Sequence, residues 1–437
     1  MGKTCLPIIP ALTLYMAALT GCAVMRYEEQ PLSPKHSAAS FAGRRLDPAV
    51  AQWSERALVR EAMSGHPDVV LAKARLTTAR AAVGTANTKP NPTAGFQPDI
   101  AANPNGAISP WALGFTLDVP IETAGKRARR VDVALAAVQT AALNAATALF
   151  QTADAVRHAF RNLAAAAARV ELLGHQQAAQ EDVVKLFDAR VQAGDLARAE
   201  TTQSRLLLQQ TRLAARDAEK KQAEVRAALA AAAGVPVEAV NRASFDFSAF
   251  DHAPQAGSTS QARRHAMQNR TDLLSALAAC TGAEATLRLE IAKQYPDIHL
   301  TPGYQYDQGT HKWSLPGLTA ALPVFDRNRG PIMEAVAKRA EAAAAFQSLQ
   351  SKVSGEVDHA LATLHGAQAK LAEAEKLVAE QGQQEKSVAA QQKAGAVDKL
   401  TLASATVELR AAGLARLEAL AEVHQAALDL DRATQTP

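Results

Sequence analysis

The sequence predicts a mainly α-helical chain with a small β component of membrane-strand length, built on a plan written twice. Three observations predict it. Val131–Ala233 and Ile332–Thr434 are long runs without proline, which read as helix. Four extended segments of about 10 to 13 residues have the length of tilted strands through a bilayer. Landmarks of the first half recur in the same order in the second.

The recurrence is visible residue by residue. "EAMSGHPDVVLAKA" at Glu61–Ala74 returns loosely as "HAMQNRTDLLSALA" at His265–Ala278, with Ala62, Met63 and Asp68 matching Ala266, Met267 and Asp272. At the same offset Lys89 and Pro92 match Lys293 and Pro296. "LDVPIETAGKR" parallels "ALPVFDRNRG", and "ARVQAGDLA" parallels "QQKAGAVDK". The expected organisation is repeat 1 over residues 46–233, an inter-repeat segment over 234–260 and repeat 2 over 261–437.

Composition narrows the class. The 437 residues carry 47 Lys+Arg and 43 Asp+Glu, a formal charge of +4, so no nucleic-acid partner is implied. Aromatics make up only 4%, and alanine is abundant. That suits long, closely packed helices better than a thick globular core.

The N-terminus reads as an export and lipidation signal. Lys3 supplies the charge of a short n-region, and Leu6–Leu19 is apolar but too short to span a bilayer as a helix. Leu19-Thr20-Gly21-Cys22 then resembles the bacterial lipobox, with residues 1–21 removed and Cys22 lipidated as the first mature residue. Ala23 follows where an Asp would favour inner-membrane retention, so the expected destination is the outer membrane of a Gram-negative cell. Residues 22–45, with Pro31, Pro34 and several Ser and Ala, read as a linker from lipid to body. With Cys5 lost and Cys22 lipidated, only Cys280 remains, and it reads as a small packing residue.

Within each repeat the elements are expected in the order helix, Pro-marked break, two strands, helical hairpin. The strands are placed at about 93–102 and 110–121, then at about 297–307 and 312–324. Trp111, Leu113, Phe115, Leu117 and Val119 alternate onto one face. Trp and Tyr collect in these segments, as at a lipid–water boundary. Links around Asn103–Ser109 and Gln308–His311 read as hairpin turns. The helical hairpins are placed at 131–233 and 331–434. Leu149, Val156, Leu163, Val170, Val184 and Val191 recur at sevens, with Gln177 the one miss, which is a coiled-coil seam. Gly194 and Gly395 interrupt the long helices where the chain can reverse, and Asp195 and Asp398 follow, placed to cap the returning helices. Each arm of about 60 residues would be roughly 90 Å long. Between the repeats, Pro236 stops a helix and "FDFSAF" reads as a short strand.

Four strands cannot close a membrane barrel, and an open edge in lipid costs several kcal/mol per unpaired group. If the strands span, the barrel must be shared between chains. At this point the lipobox, the duplicated plan, the junctions "VPIETAGKR" and "LPVFDRNRG" and the glycine-turned hairpins together resemble the TolC-type outer-membrane efflux lipoproteins. The resemblance covers nearly the whole chain after about residue 45. It implies a homotrimer whose twelve-stranded β-barrel, four strands per chain, is continued by a long α-helical coiled-coil barrel. It also implies a passive exit duct for metal ions, drugs or other small molecules, with a periplasmic adaptor, an inner-membrane transporter and outer-membrane lipid as partners. "VPIETAGKR" looks somewhat like the heavy-metal branch. A type I protein-secretion duct and a lipid-anchored periplasmic scaffold without a pore are the alternatives.

Candidate site residues follow from both readings. Gly194 and Gly395 mark the periplasmic tips. Asp195 and Asp398 there are either helix caps or, as the resemblance implies, a gate with cation preference. Lys126, Arg127, Arg129 and Arg130 form a basic cluster, either a solvated helix start or a lipid-headgroup contact. The histidines are scattered without metal-ligand spacing. No Ser-His-Asp set, phosphate loop or catalytic carboxylate pair is present, so neither enzyme activity nor a cofactor is expected.

Overall fold

A computed structural model describes residues 27–102, 109–254 and 258–435. Cys22, the lipobox and part of the first strand link fall outside the described residues. The chain divides into two compact units at Arg44/Arg45. The first contains a short helix α1 (Pro34–Ala42) inside the segment expected to be linker. Pro34 opens it with a preset φ, and the Ser33 hydroxyl accepts from the His36 N–H.

The second unit is mostly helical with one four-stranded sheet. In chain order it contains α2 (Glu55–Gly65), α3 (Pro67–Ala86), β1 (Thr93–Ile100), β2 (Trp111–Ile121), α4 (Lys126–Ala193) and α5 (Thr202–Ala233). A short α6 (Val237–Asn241) leads to α7 (Thr259–Asn269), α8 (Thr271–Ala292), β3 (Ile298–Asp307), β4 (Thr310–Ala320), α9 (Arg329–Lys393) and α10 (Lys399–Thr434). The second half thus repeats the element order of the first. Ala62 in α2 and Ala266 in α7 are both fully buried, each just before a helix–helix corner.

The helices α4 and α9, of 68 and 65 residues, are each about 100 Å long at ~1.5 Å per residue. Their residues are good helix formers, and the one proline, Pro331, lies in the first turn of α9, where its missing N–H costs no helical bond. The dense alanine lets neighbouring backbones approach closely. Alanine also makes α4 apolar enough to cross a membrane by composition, yet it packs against α3, α5, α8 and α10. Val156, Leu163 and Phe160 of the expected seam are buried, whereas Leu149, Val170, Val184 and Val191 are half-buried.

The core sits where α2, α7 and the inter-repeat segment brace the hairpins. One cluster joins Leu58, Val156, Phe160, Leu163, Leu229 and Val240. A second joins Val353, Val357, Leu361, Leu364, Leu420 and Val423. The inter-repeat segment differs from expectation. "FDFSAF" forms no strand: Phe245 makes one isolated bridge with Trp53, and Ser248–Asp251 is a 3₁₀ turn. Its phenylalanines instead stack around Phe160, with ring centroids 5.4 Å from Phe247 and 6.0 Å from Phe245.

The helices begin earlier than expected, at Lys126 and Arg329. Gly125 and Asn328, both with positive φ, turn the chain directly from strand exit into helix. β4 ends at Ala320, four residues early, where its partner runs out: Ala320 pairs with Ile298, the first residue of β3. It starts early as well, since the β3–β4 turn needs only Gln308 and Gly309, both at positive φ.

The two hairpin tips are built differently. At the second, Gly395 (φ 76°) is followed after two residues by Asp398, whose carboxylate accepts from the Thr401 N–H at 2.8 Å and starts α10 at once. At the first, Gly194 (φ 83°) closes α4, but the chain then runs through a 3₁₀ turn, Arg198–Thr201, before α5. No side chain caps α5.

Candidate functional site

The sheet has the order β1-β2-β3-β4, antiparallel throughout. Its pairing places Phe96 opposite Phe115, Phe115 opposite Tyr304 and Tyr304 opposite Trp313. One aromatic row therefore crosses all four strands, with centroid spacings of 4.8, 6.3 and 4.7 Å. Period-two alternation puts Trp111, Leu113, Leu117, Val119 and Ile121 on the same face as that row. Across a bulge between Thr301 and Gly303, the pairing keeps Leu318 opposite Leu300 on this face too.

The opposite face is polar and small: Gly95, Gln97, Gly114, Thr116, Asp118, His299, Gly303 and Gln305. Asp118 and His299 pair across β2 and β3 at 2.9 Å. Trp313 is 79% exposed, and every position of β1 and β4 is open in the single chain. Among the described residues β1 and β4 pair with no further strand. Such a sheet can face hydrocarbon on one side and water on the other, but only with more strands at both edges.

The junction below the sheet is tied by charge. The Lys126 ammonium lies 2.8 Å from Asp297, whose carboxylate also accepts from the Thr123 N–H at 2.9 Å. Arg130 forks onto Glu122 and also donates to the carbonyls of Ala86 and Thr88. Arg129 pairs with Asp132 at 3.1 Å. Three members of the basic cluster are thus held by acids of their own chain, and Lys126 is buried. The expectations for the cluster were a solvated helix start or a lipid-headgroup contact, and neither included these acids: Asp297 lies far along the chain and Glu122 across the strand–helix bend, whereas Asp132 is one turn from Arg129 on α4.

A second group of charges lies between α4 and α10 and was not singled out from the sequence. His158 donates from Nδ1 to Gln425 at 2.8 Å, while its Nε2 lies 2.6 Å from Arg432 and 3.3 Å from Asp154. Arg432 also donates to Asp154 at 2.8 Å. Burial pulls the His158 imidazole down, but its bonds to Asp154 and Gln425 outweigh this and raise it. Burial likewise pushes the Asp154 carboxyl up, yet His158 and Arg432 hold it below its ordinary value. One helical turn away, buried His424 donates from Nε2 to the Phe250 carbonyl at 2.7 Å and accepts at Nδ1 from Arg161 at 2.5 Å. Burial drives this ring down, the Phe250 bond opposes it, and the Arg161 cation reinforces the fall. Arg161 is balanced by Glu55 at 2.5 Å. The only sequence trace of this network is the Asp154/His158 spacing of one turn; the partners come from α2, α10 and the inter-repeat segment.

At the tips, Gly194 and Gly395 hold the left-handed conformation expected of them. Asp398 caps α10 and, through its other oxygen, pairs with Arg190 near the end of α4. Asp195 does not cap: its N–H donates to the Arg190 carbonyl at 2.9 Å and helps to close α4. The two aspartates are therefore not equivalent, and only Asp398 bridges the hairpins. Cys280 is half-buried on α8. Among the described residues, no group of three His, Cys, Asp or Glu side chains is arranged to hold a metal ion.

Comparison with known proteins fits this geometry. The chain matches the outer membrane efflux protein family over residues 58–235 and 262–435. It is 23% identical over 221 residues to the cobalt-zinc-cadmium resistance protein CzcC of Cupriavidus metallidurans, covering 50% of this chain and 52% of that one. The match thus spans about half the length of that relative. The outer membrane protein VceC of Vibrio cholerae is similar at a TM-score of 0.70 and 19% identity, over 87% of this chain and 95% of that one. The open state of the MtrE outer membrane channel of Neisseria gonorrhoeae is similar at 0.68 and 18%, over 87% and 88%. Long glycine-turned hairpins below a two-faced sheet are thus the fold of solved outer-membrane channels, and the matched stretches take in both halves: the chain belongs to the outer membrane efflux protein family.

Proposed function

We propose that the protein is the outer-membrane exit duct of a tripartite efflux system, working as a homotrimer. The observation that carries this reading is the sheet: one face apolar with an aromatic row, the other polar, and both edges open. Three copies would supply twelve strands, abolishing the edges, with α4, α5, α9 and α10 of each copy continuing the wall through the periplasm. Residues 46–233 and 261–437 act as two copies of one unit within each chain. Cys22 carries the lipid that holds the complex to the outer membrane after residues 1–21 are removed.

The duct is passive. Its family is one of efflux channels, so no reaction is assigned to it. Work comes from an inner-membrane transporter, reached through a periplasmic adaptor at the hairpin tips. Similarity to CzcC favours heavy-metal cations as cargo. Purified protein in planar bilayers tests the duct: stepwise conductance from a trimer supports it, and a water-soluble monomer that leaves bilayers tight ends it. Deleting the gene tests the cargo: lost tolerance to cobalt, zinc and cadmium supports metal efflux. Unchanged metal tolerance with lost drug tolerance, or a lost secreted protein, reassigns the cargo.

A further inference from the structure

In the hairpin region the helices pair in one order. α4 lies against α5 and α10, and α10 lies against α9. This leaves α5 and α9 as the outer pair. The outer face of α5 is largely charged but carries two open leucines: Leu206 and Leu213, seven residues apart, are 51% and 67% exposed.

Counted from the tip glycines, the two hairpins match position by position. Thr152, Val156, Phe160 and Leu163 of α4 are buried at the places that α9 fills with buried Val353, Val357, Leu361 and Leu364. Ala218, Val225 and Leu229 of α5 correspond in the same way to Ala419, Ala426 and Leu430 of α10. The contact of α4 with α10 inside one chain is thus a template for a contact of α9 with α5. The exposed leucines agree with this, since Leu206 and Leu213 correspond to Val407 and Leu414, which are half-buried in α10.

The charges agree too. Within the chain, Arg169 of α4 reaches Glu418 of α10 at 2.5 Å, and His158 bonds Gln425 at 2.8 Å. The corresponding positions on the outer helices hold Lys370 for Arg169, Asp217 for Glu418, His359 for His158 and Glu224 for Gln425. Each pairing keeps a cation or donor on the outgoing helix and an acceptor on the returning one. Asp217 is exposed and pairs with no cation among the described residues. Lys370 is exposed and rests on Glu422 of its own hairpin at 2.6 Å.

We propose that α9 of one copy seats on α5 of the next as α4 seats on α10 within a chain, with Lys370 of one copy paired to Asp217 of the other. The inference rests on the trimeric-duct reading and assigns the faces that meet in it. The seam between copies is also the more polar of the two. Where α10 packs Leu417 and Leu420, α5 presents Arg216 and Glu219. The join between subunits therefore relies more on charge than the join within one.

A zero-length carbodiimide, which couples an amine only to a carboxylate in contact with it, tests this on the full-length protein in outer-membrane vesicles. The expected result is covalent dimers and trimers on a denaturing gel and a Lys370–Asp217 coupled peptide by mass spectrometry. Asp217→Asn should abolish that peptide while the Lys370–Glu422 coupling within one chain persists. Asp217→Lys and Lys370→Asp should each lower the heat tolerance of the oligomer, and the double exchange should restore it. An intact, conducting trimer in which Lys370 couples only to Glu422, and the double exchange restores nothing, overturns the seam and leaves the duct standing. A monomer that neither couples between chains nor conducts overturns both.

Discussion

Arg190, one turn before the end of α4, is ion-paired with Asp398, the residue that caps α10. One carboxylate thereby fastens the two hairpins together at their tips and starts a helix at the same time. Both side chains are more than a third exposed, so the pair adds only about 0–1 kcal/mol to stability. Its expected consequence is positional: it holds the end of α4 beside the start of α10.

Asp398→Asn separates the two roles, because asparagine caps as well as aspartate but carries no charge. The expected outcome is little change in melting temperature, with a more often open channel of weaker cation preference in single-channel recordings. Recordings indistinguishable from the native protein would show that Asp398 only caps. Asp195→Asn should alter gating less, since Asp195 does not bridge the hairpins.

The two faces of the sheet should differ in tolerance. Phe115→Arg places a charge in the aromatic row and should destabilise the assembled barrel by about 2–4 kcal/mol if that row lies near mid-membrane. Gln97→Arg, on the polar face, should leave assembly intact. Heat-resistance of the oligomer on gels reads both, and equal damage from the two would contradict the assignment of faces.

His424 should make the fold acid-sensitive. Its imidazole is held neutral and below its ordinary value in the folded chain, so the unfolded chain takes up more protons as the pH falls. Stability from this residue is present above ~6.5 and lost as pH drops through that value. His158 has the opposite sign: its raised value means stability present below ~6.5 and lost as pH rises through the folded value. Melting temperatures between pH 5 and 8 should therefore show a shallower acid loss in His424→Gln and a steeper one in His158→Gln.

Gln180 and Gln381 occupy matching places in the two hairpins, and each has a buried side-chain oxygen without a partner among the described residues. Gln180→Leu should raise stability by about 1 kcal/mol by removing an unsatisfied acceptor. If these glutamines fix the alignment of the helices, as polar core residues do in coiled coils, the leucine variant will also form mixed oligomers. Denaturant midpoints and size-exclusion profiles check the two effects separately.

The large elements were legible because their signals are local. Proline-free runs, αL glycines such as Gly194 and Gly395, and the alternation from Trp111 to Val119 each act within a few residues. Element ends were less so. The helix start at Lys126 depends on Gly125 and on an ion pair with Asp297, far along the chain. "FDFSAF" misled because its aromatic content signals strand, whereas tertiary packing around Phe160 uses the same rings in a turn. The network of Asp154, His158, Arg161, His424 and Arg432 was invisible for the same reason: its members are ordinary surface residues until α4 and α10 are laid together.

The unequal tips reach beyond the single chain. The second reverses tightly at Gly395, while the first takes a longer path from Asp195 to Thr201 through a 3₁₀ turn. In a threefold assembly, short and long turns would alternate around the rim. Any ring of identical partners meeting all six ends would have to divide into two classes of grip, so its own symmetry would be lowered on docking.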